Sequence, residues 1–188
     1  MKSITFIAIL LMLISCSNAS KKLTHLKAES ILTKCIEKGS AAGKTYFDTG
    51  NQMFNPKKEA DIKELEFLKT LENEGLLKLE YISGKLHHIY NIELTEKAEA
   101  FVLEKDKKGI ESVIMATKST KALVKTFDHY VVSEIKQIHE IPENNTATVT
   151  AVLEKIELTP FFSINNESKF KEVKLTFLFT SNGWGYCK

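Results

Sequence analysis

Residues 171–187, KEVKLTFLFTSNGWGYC, read as two β-strands folded back on each other. Val173, Leu175, Phe177 and Phe179 alternate with Glu172, Lys174, Thr176 and Thr180, the period-two pattern of a strand with one face buried and the other in water. Asn182 and Gly183 suit a two-residue type I′ turn. That turn sets Phe179 opposite Tyr186 and Leu178 opposite Cys187, so Trp184 and Tyr186 join Phe177 and Phe179 on the buried face and Cys187 falls on the reverse. Upstream, β-branched and aromatic residues continue the pattern, with strands expected at Val113–Thr117, Tyr130–Ile141 and Thr146–Leu158. Pro142, Asn144 and Asn145 make one turn, and Thr159–Ser168 makes a longer loop. Residues 109–188 are therefore expected to form an antiparallel β meander.

The preceding half, residues 23–108, reads differently. Apolar residues at Leu23, Leu26, Ile31, Leu32, Cys35 and Ile36 form a helical stripe that stops at Gly39. Gly39–Pro56, with Gly43, Gly50 and scattered rings, reads as a long loop. A second helix over Lys57–Glu74 places Ile62, Leu65, Leu68 and Leu71 on one face, and Gly75 ends it. Leu76–Tyr81 and Leu86–Glu93 form a hairpin around Ser83, Gly84 and Lys85. Thr95 caps an expected third helix, and Glu104–Gly109 reads as a charged linker. The spacing of Leu68, Leu71, Gly75, Leu76 and Leu77, then Tyr90, Leu94, Thr95, Ala98 and Phe101, resembles winged-helix transcription regulators over about fifty residues. The expected fold class is α+β: a helical, winged-helix-like lobe with a β-hairpin, then the meander.

Charge restricts the partners. The chain has 188 residues, 26 basic and 24 acidic side chains and a formal charge of +2. All the basic residues are Lys, and the hairpin carries only Lys85 beside His87 and His88. Nucleic-acid binding is not expected: no Arg is present to make the commonest specific base contact, and the stronger objection is the extracytosolic compartment that the N-terminus implies.

The N-terminus carries the sharpest signal. Lys2 precedes an apolar stretch from Ile4 to Ile14, too short to span a bilayer and suited to the core of a secretion signal. Leu13, Ile14, Ser15 and Cys16 resemble the lipobox of bacterial lipoproteins. The resemblance implies removal of residues 1–15, a thioether-linked diacylglycerol on Cys16, often an added acyl chain such as palmitate, and attachment to a membrane. Two chains suffice for stable anchoring, since each buried methylene contributes about 0.8 kcal/mol. Ser17 stands where an Asp resembles the enteric inner-membrane retention signal, so outer-membrane placement, facing the periplasm or the exterior, is expected in a two-membrane cell. Residues 16–22 then form a short lipidated tether.

With Cys16 committed to lipid, Cys35 and Cys187 remain in an oxidising compartment. A disulfide between them is the expectation, contributing about 5 kcal/mol in the chain-entropy model. The alternative leaves Cys35 as a small apolar residue on its helix and Cys187 as a free thiol. No CxxC pair supports redox catalysis or a zinc ribbon.

Signals of chemistry are sparse. His25, His87, His88, His129 and His139 form no HExxH or HxH pattern, so neither a metal nor another cofactor is expected. Glu72 and Glu74, or Glu96 and Glu99, sit among lysines as ion-pair decoration. Gly39–Lys44 lacks the spacing and the preceding strand of a phosphate loop. Phe161, Phe162 and Ile164, after Pro160, form an apolar cluster in an expected loop, a candidate contact for a protein partner unless it folds back onto the core.

These readings point to a non-catalytic, membrane-anchored binding or assembly protein of the cell envelope, in one version an immunity-type protein. No catalytic residues are assigned. The alternative from another class is an envelope hydrolase drawing acid/base residues from His129, His139 and neighbouring carboxylates. A cleft holding two carboxylates or a His-carboxylate pair with shifted titration favours the enzyme, and a projecting apolar patch with no such cleft favours the binder.

Overall fold

The computed structural model describes residues 22–39, 41–112, 117–165 and 167–186. The expected signal segment, Cys16, Cys187 and most of the strand expected at Val113–Thr117 lie outside the described residues. The chain folds into two compact units. One comprises Ala41–His129 with Ile156–Ser168, and the other combines Met1–Ser40, Tyr130–Lys155 and Lys169–Lys188. The expected boundary at 108/109 falls inside a strand.

The first unit is a five-stranded antiparallel sheet covered by a helix. Its strands are β1 (Gly43–Phe54), β2 (Leu77–Ser83), β3 (His88–Leu94), β4 (Val102–Ser112) and β5 (Thr117–Phe127), in the order β2-β3-β1-β5-β4. The helix over Glu59–Asn73, labelled α2 because a helix precedes it in the chain, buries Leu68 and Leu71 against this sheet. Phe47, Phe54, Leu76, Leu77, Ile92, Ala122 and Val124 complete the core.

Three expectations about this half are overturned, and with them the helical winged-helix-like lobe. The supposed loop Gly39–Pro56 contains the central strand β1, paired on one side with β3 and on the other with β5. The linker Glu104–Gly109 belongs to the edge strand β4. The third helix is one 3-10 segment, Glu96–Phe101, and the Thr95 hydroxyl donates to the Gly75 carbonyl at 2.7 Å instead of capping it. Among the described residues, two α-helices stand against nine strands. The hairpin read as a wing is the outer part of a sheet.

Two details explain the misreading of β1. Its polar residues are paired through the ladder and through side chains, as where Thr49 and Thr120 hydroxyls meet at 2.7 Å, so it never shows an apolar face of period two. Gly43 reads as a turn residue but is required by close approach: a Cβ there would lie 2.0 Å from the Phe127 ring.

The second unit packs α1 (His25–Gly39) on the sheet β6-β7-β8-β9, formed by His129–Ile141, Thr146–Ile156, Phe170–Thr180 and Gly183–Gly185. The alternation read in β8 is present: Phe177 is fully buried, and Val173 and Leu175 pack against the same core. Across the ladder Ala147 faces Phe177 and Ala151 faces Val173, small against large. Leu23, just ahead of α1, and Ala28 and Leu32 within it close this core, whereas Leu26 is exposed. The Leu23 backbone N–H donates to Glu140 at 2.8 Å and ties the start of the helix to β6.

The last turn differs from the expected one by two residues. Phe179 pairs with Trp184 and Thr180 with Gly183, because Gly183 alone takes a left-handed conformation, φ +91°, while Ser181 and Asn182 stay at negative φ. This is a turn with a glycine bulge in place of type I′. A shift of two keeps every side chain on its face, so Trp184 still packs edge-on against Phe179 and Tyr186 stacks on Phe177, both at 5.3 Å.

Candidate binding cleft

Within the five-stranded unit, α2 and β1 form the walls of an open cleft of ≈640 Å³. Glu59, Ala60, Lys63, Glu64, Phe67 and Leu68 recur on one face of α2, every fourth residue and its neighbour, and so line the cleft in successive turns. Tyr46, Phe47, Asp48 and Gln52 come from β1, and Ser163 and Ile164 from the 3-10 segment Pro160–Asn165. That segment is held by Phe161, which is fully buried with its ring edge-on to Phe47 at 5.4 Å and to Phe101 at 6.1 Å. The cluster Phe161, Phe162 and Ile164 is therefore not a projecting patch: Phe161 belongs to the core and Ile164 packs against it.

The lining carries three carboxylates, Asp48, Glu59 and Glu64, against one ammonium, Lys63, a formal balance of −2. Glu59 pairs with Lys63 at 2.6 Å, and Asp48 lies 3.4 Å from Lys121. Among the described residues Glu64 forms no hydrogen bond or ion pair. Loss of water around its carboxyl, with repulsion from Asp61 and Asp48, raises its pKa above the ordinary glutamate value. Asp61 is pulled the other way: the Lys58 ammonium at 2.8 Å and the Asn55 backbone N–H at 2.9 Å hold its carboxyl below the usual range. This pair of contacts fixes the chain's entry into α2.

The residues singled out from the sequence are dispersed. His129, at the start of β6, is hydrogen-bonded to Asp128 at 2.9 Å, and Lys125 first, then His129, lower the Asp128 carboxyl. His139 is exposed ten residues further along the same strand. At about 3.3 Å of rise per residue the two imidazoles cannot share one reacting centre. His25 is exposed on α1, while His87 and His88 belong to the β2–β3 hairpin. Among the described residues no group of three His, Cys, Asp or Glu side chains could hold a metal ion, and no helix is long and apolar enough to cross a membrane. Cys35 is partly buried on α1, and its proposed partner Cys187 lies outside the described residues.

The cleft itself was missed in the sequence. Phe67 and Glu64 carried no signal of their own, and without β1 as a strand there was no wall opposite α2. The chain matches no protein-family model, no curated protein and no solved structure.

Proposed function

We propose that this protein is a lipid-anchored bacterial envelope protein that binds a partner without catalysing a reaction. The observation that carries the anchoring is the run Leu13, Ile14, Ser15 and Cys16 behind an apolar segment too short to span a bilayer. Diacylation at Cys16 holds the protein on the membrane, on the outer membrane where the cell has two, with Ser17–Lys22 as tether. The binding reading draws on the cleft, whose volume is that of a ligand site and whose walls mix aromatic faces with a few charged groups.

The compartment also supports a Cys35–Cys187 bridge. Helix α1, which carries Cys35, packs on the same core as Trp184 and Tyr186. To test the anchor, Cys16→Ala is compared with wild type by detergent-phase partition. Wild type is expected in the detergent phase and the variant in the aqueous phase; a variant that stays in detergent contradicts lipidation.

One observation favours the second reading, an envelope hydrolase. Glu64, with its raised pKa, shares the cleft with the carboxylate Asp48, as a general acid and its counterpart would. His129 and His139, too far apart along β6, do not supply that pair. In this reading Glu64→Gln abolishes turnover of a cleft-bound substrate while leaving its binding intact; in the binding reading the same change weakens binding.

A further inference from the structure

We propose that the cleft between α2 and β1 receives a basic side chain, an ammonium or guanidinium group on an aliphatic stem, presented by a partner protein. Charge complementarity carries the choice of occupant. The lining holds a formal −2, offset in part by Lys121 on Asp48; Asp48 and Glu59 are each engaged by a lysine, and among the described residues Glu64 alone of the three makes no direct ion pair, feeling Lys58 only at longer range. The floor suits the stem of such a group. Phe67 and Ile164, half-buried, offer apolar surface in the lining, Phe47 and Leu68 are buried in the core, and Tyr46, 46% exposed, presents a ring. Aromatic surface next to a carboxylate is the usual environment for a cation on an apolar chain, since the ring face attracts the charge and the wall covers the methylenes. An anionic ligand would meet the Glu64 carboxylate, which makes no direct ion pair, and a neutral apolar one would leave Glu64 further desolvated.

This inference rests on the reading of the protein as an envelope binding protein. Its test uses the full mature chain in detergent micelles, titrated with a blocked glycyl-lysyl-glycine peptide while the backbone amides of α2 and β1 are followed by NMR. The expected result is saturable shifts at those amides, with affinity at least threefold weaker when the peptide lysine is Nε-acetylated or replaced by norleucine. Glu64→Gln is expected to weaken binding by about three- to tenfold, the low end reflecting the open setting of the carboxylate. Glu64 is on the surface, so this variant keeps the fold, which the unshifted remainder of the spectrum checks. Absence of saturable shifts, equal binding of the neutral peptides, or unchanged affinity in Glu64→Gln overturns the proposal. Tighter binding of 1,5-diaminopentane than of the peptide overturns the assignment to a protein side chain. Palmitate labelling at Cys16 reports separately on anchoring: a labelled protein that ignores the peptide loses the cleft proposal alone, and an unlabelled one that binds it loses the envelope reading alone.

Discussion

At the scale of single residues, three side chains or their absence do identifiable work. Asp61 links the end of β1 to the first turn of α2 through Lys58 and the Asn55 N–H. Because its folded pKa is depressed, the stability it contributes is present above the unfolded value and lost as pH falls through the folded one. Asp61→Asn is therefore expected to lower the urea midpoint at neutral pH and to match wild type in strong acid. Glu64 has the opposite sign. Its raised pKa, set by lost water and by Asp61 and Asp48 against the pull of Lys58, means that stability falls as pH rises from the unfolded value through the folded one. Beside it in the cleft, Glu59 and Lys63 are engaged with each other, so neither offsets the loss. Glu64→Gln should be slightly more stable than wild type at pH 7 and equal at pH 3 by the same urea titration. Gly43 must stay bare: Gly43→Ala drives a methyl group into the Phe127 ring and is expected to cost about 1–3 kcal/mol.

At the scale of elements, what the sequence disclosed depended on whether an element buries one clean face. Helices α1 and α2, the hairpin β2–β3 and the strands β7 and β8 have such a face, and their apolar spacing showed it. Strands β1 and β5 sit in the middle of a sheet, but Gly43 and Gly50 in one and a run of Lys, Thr and Ser in the other hide the period. Neighbouring strands decide those two positions, as register Asp48 with Lys121 and Thr49 with Thr120 shows. The 3-10 segment after Pro160 was seen as a loop, and its packing turned on a single ring. Phe161→Ala removes that ring from between Phe47 and Phe101 and is expected to destabilise the five-stranded unit by about 3–5 kcal/mol in denaturant unfolding. An unchanged midpoint would mean that Phe161 is dispensable to the core.

At the scale of the whole molecule, the chain builds two sheet-based units from segments far apart in sequence. The cleft belongs wholly to one of them, and helix α1 belongs to the other. The candidate site was illegible because it needs both α2, which the sequence showed, and β1, which it concealed. The lipobox-like run Leu13–Cys16 is a local signal that no fold obscures, and the anchoring proposed from it would place the protein where a partner, not a genome or a nucleotide, is within reach. Its most direct measurement is growth of the source organism with radiolabelled palmitate followed by isolation of the native protein. The account predicts label on the wild-type chain and none on Cys16→Ala; an unlabelled wild-type chain would contradict it.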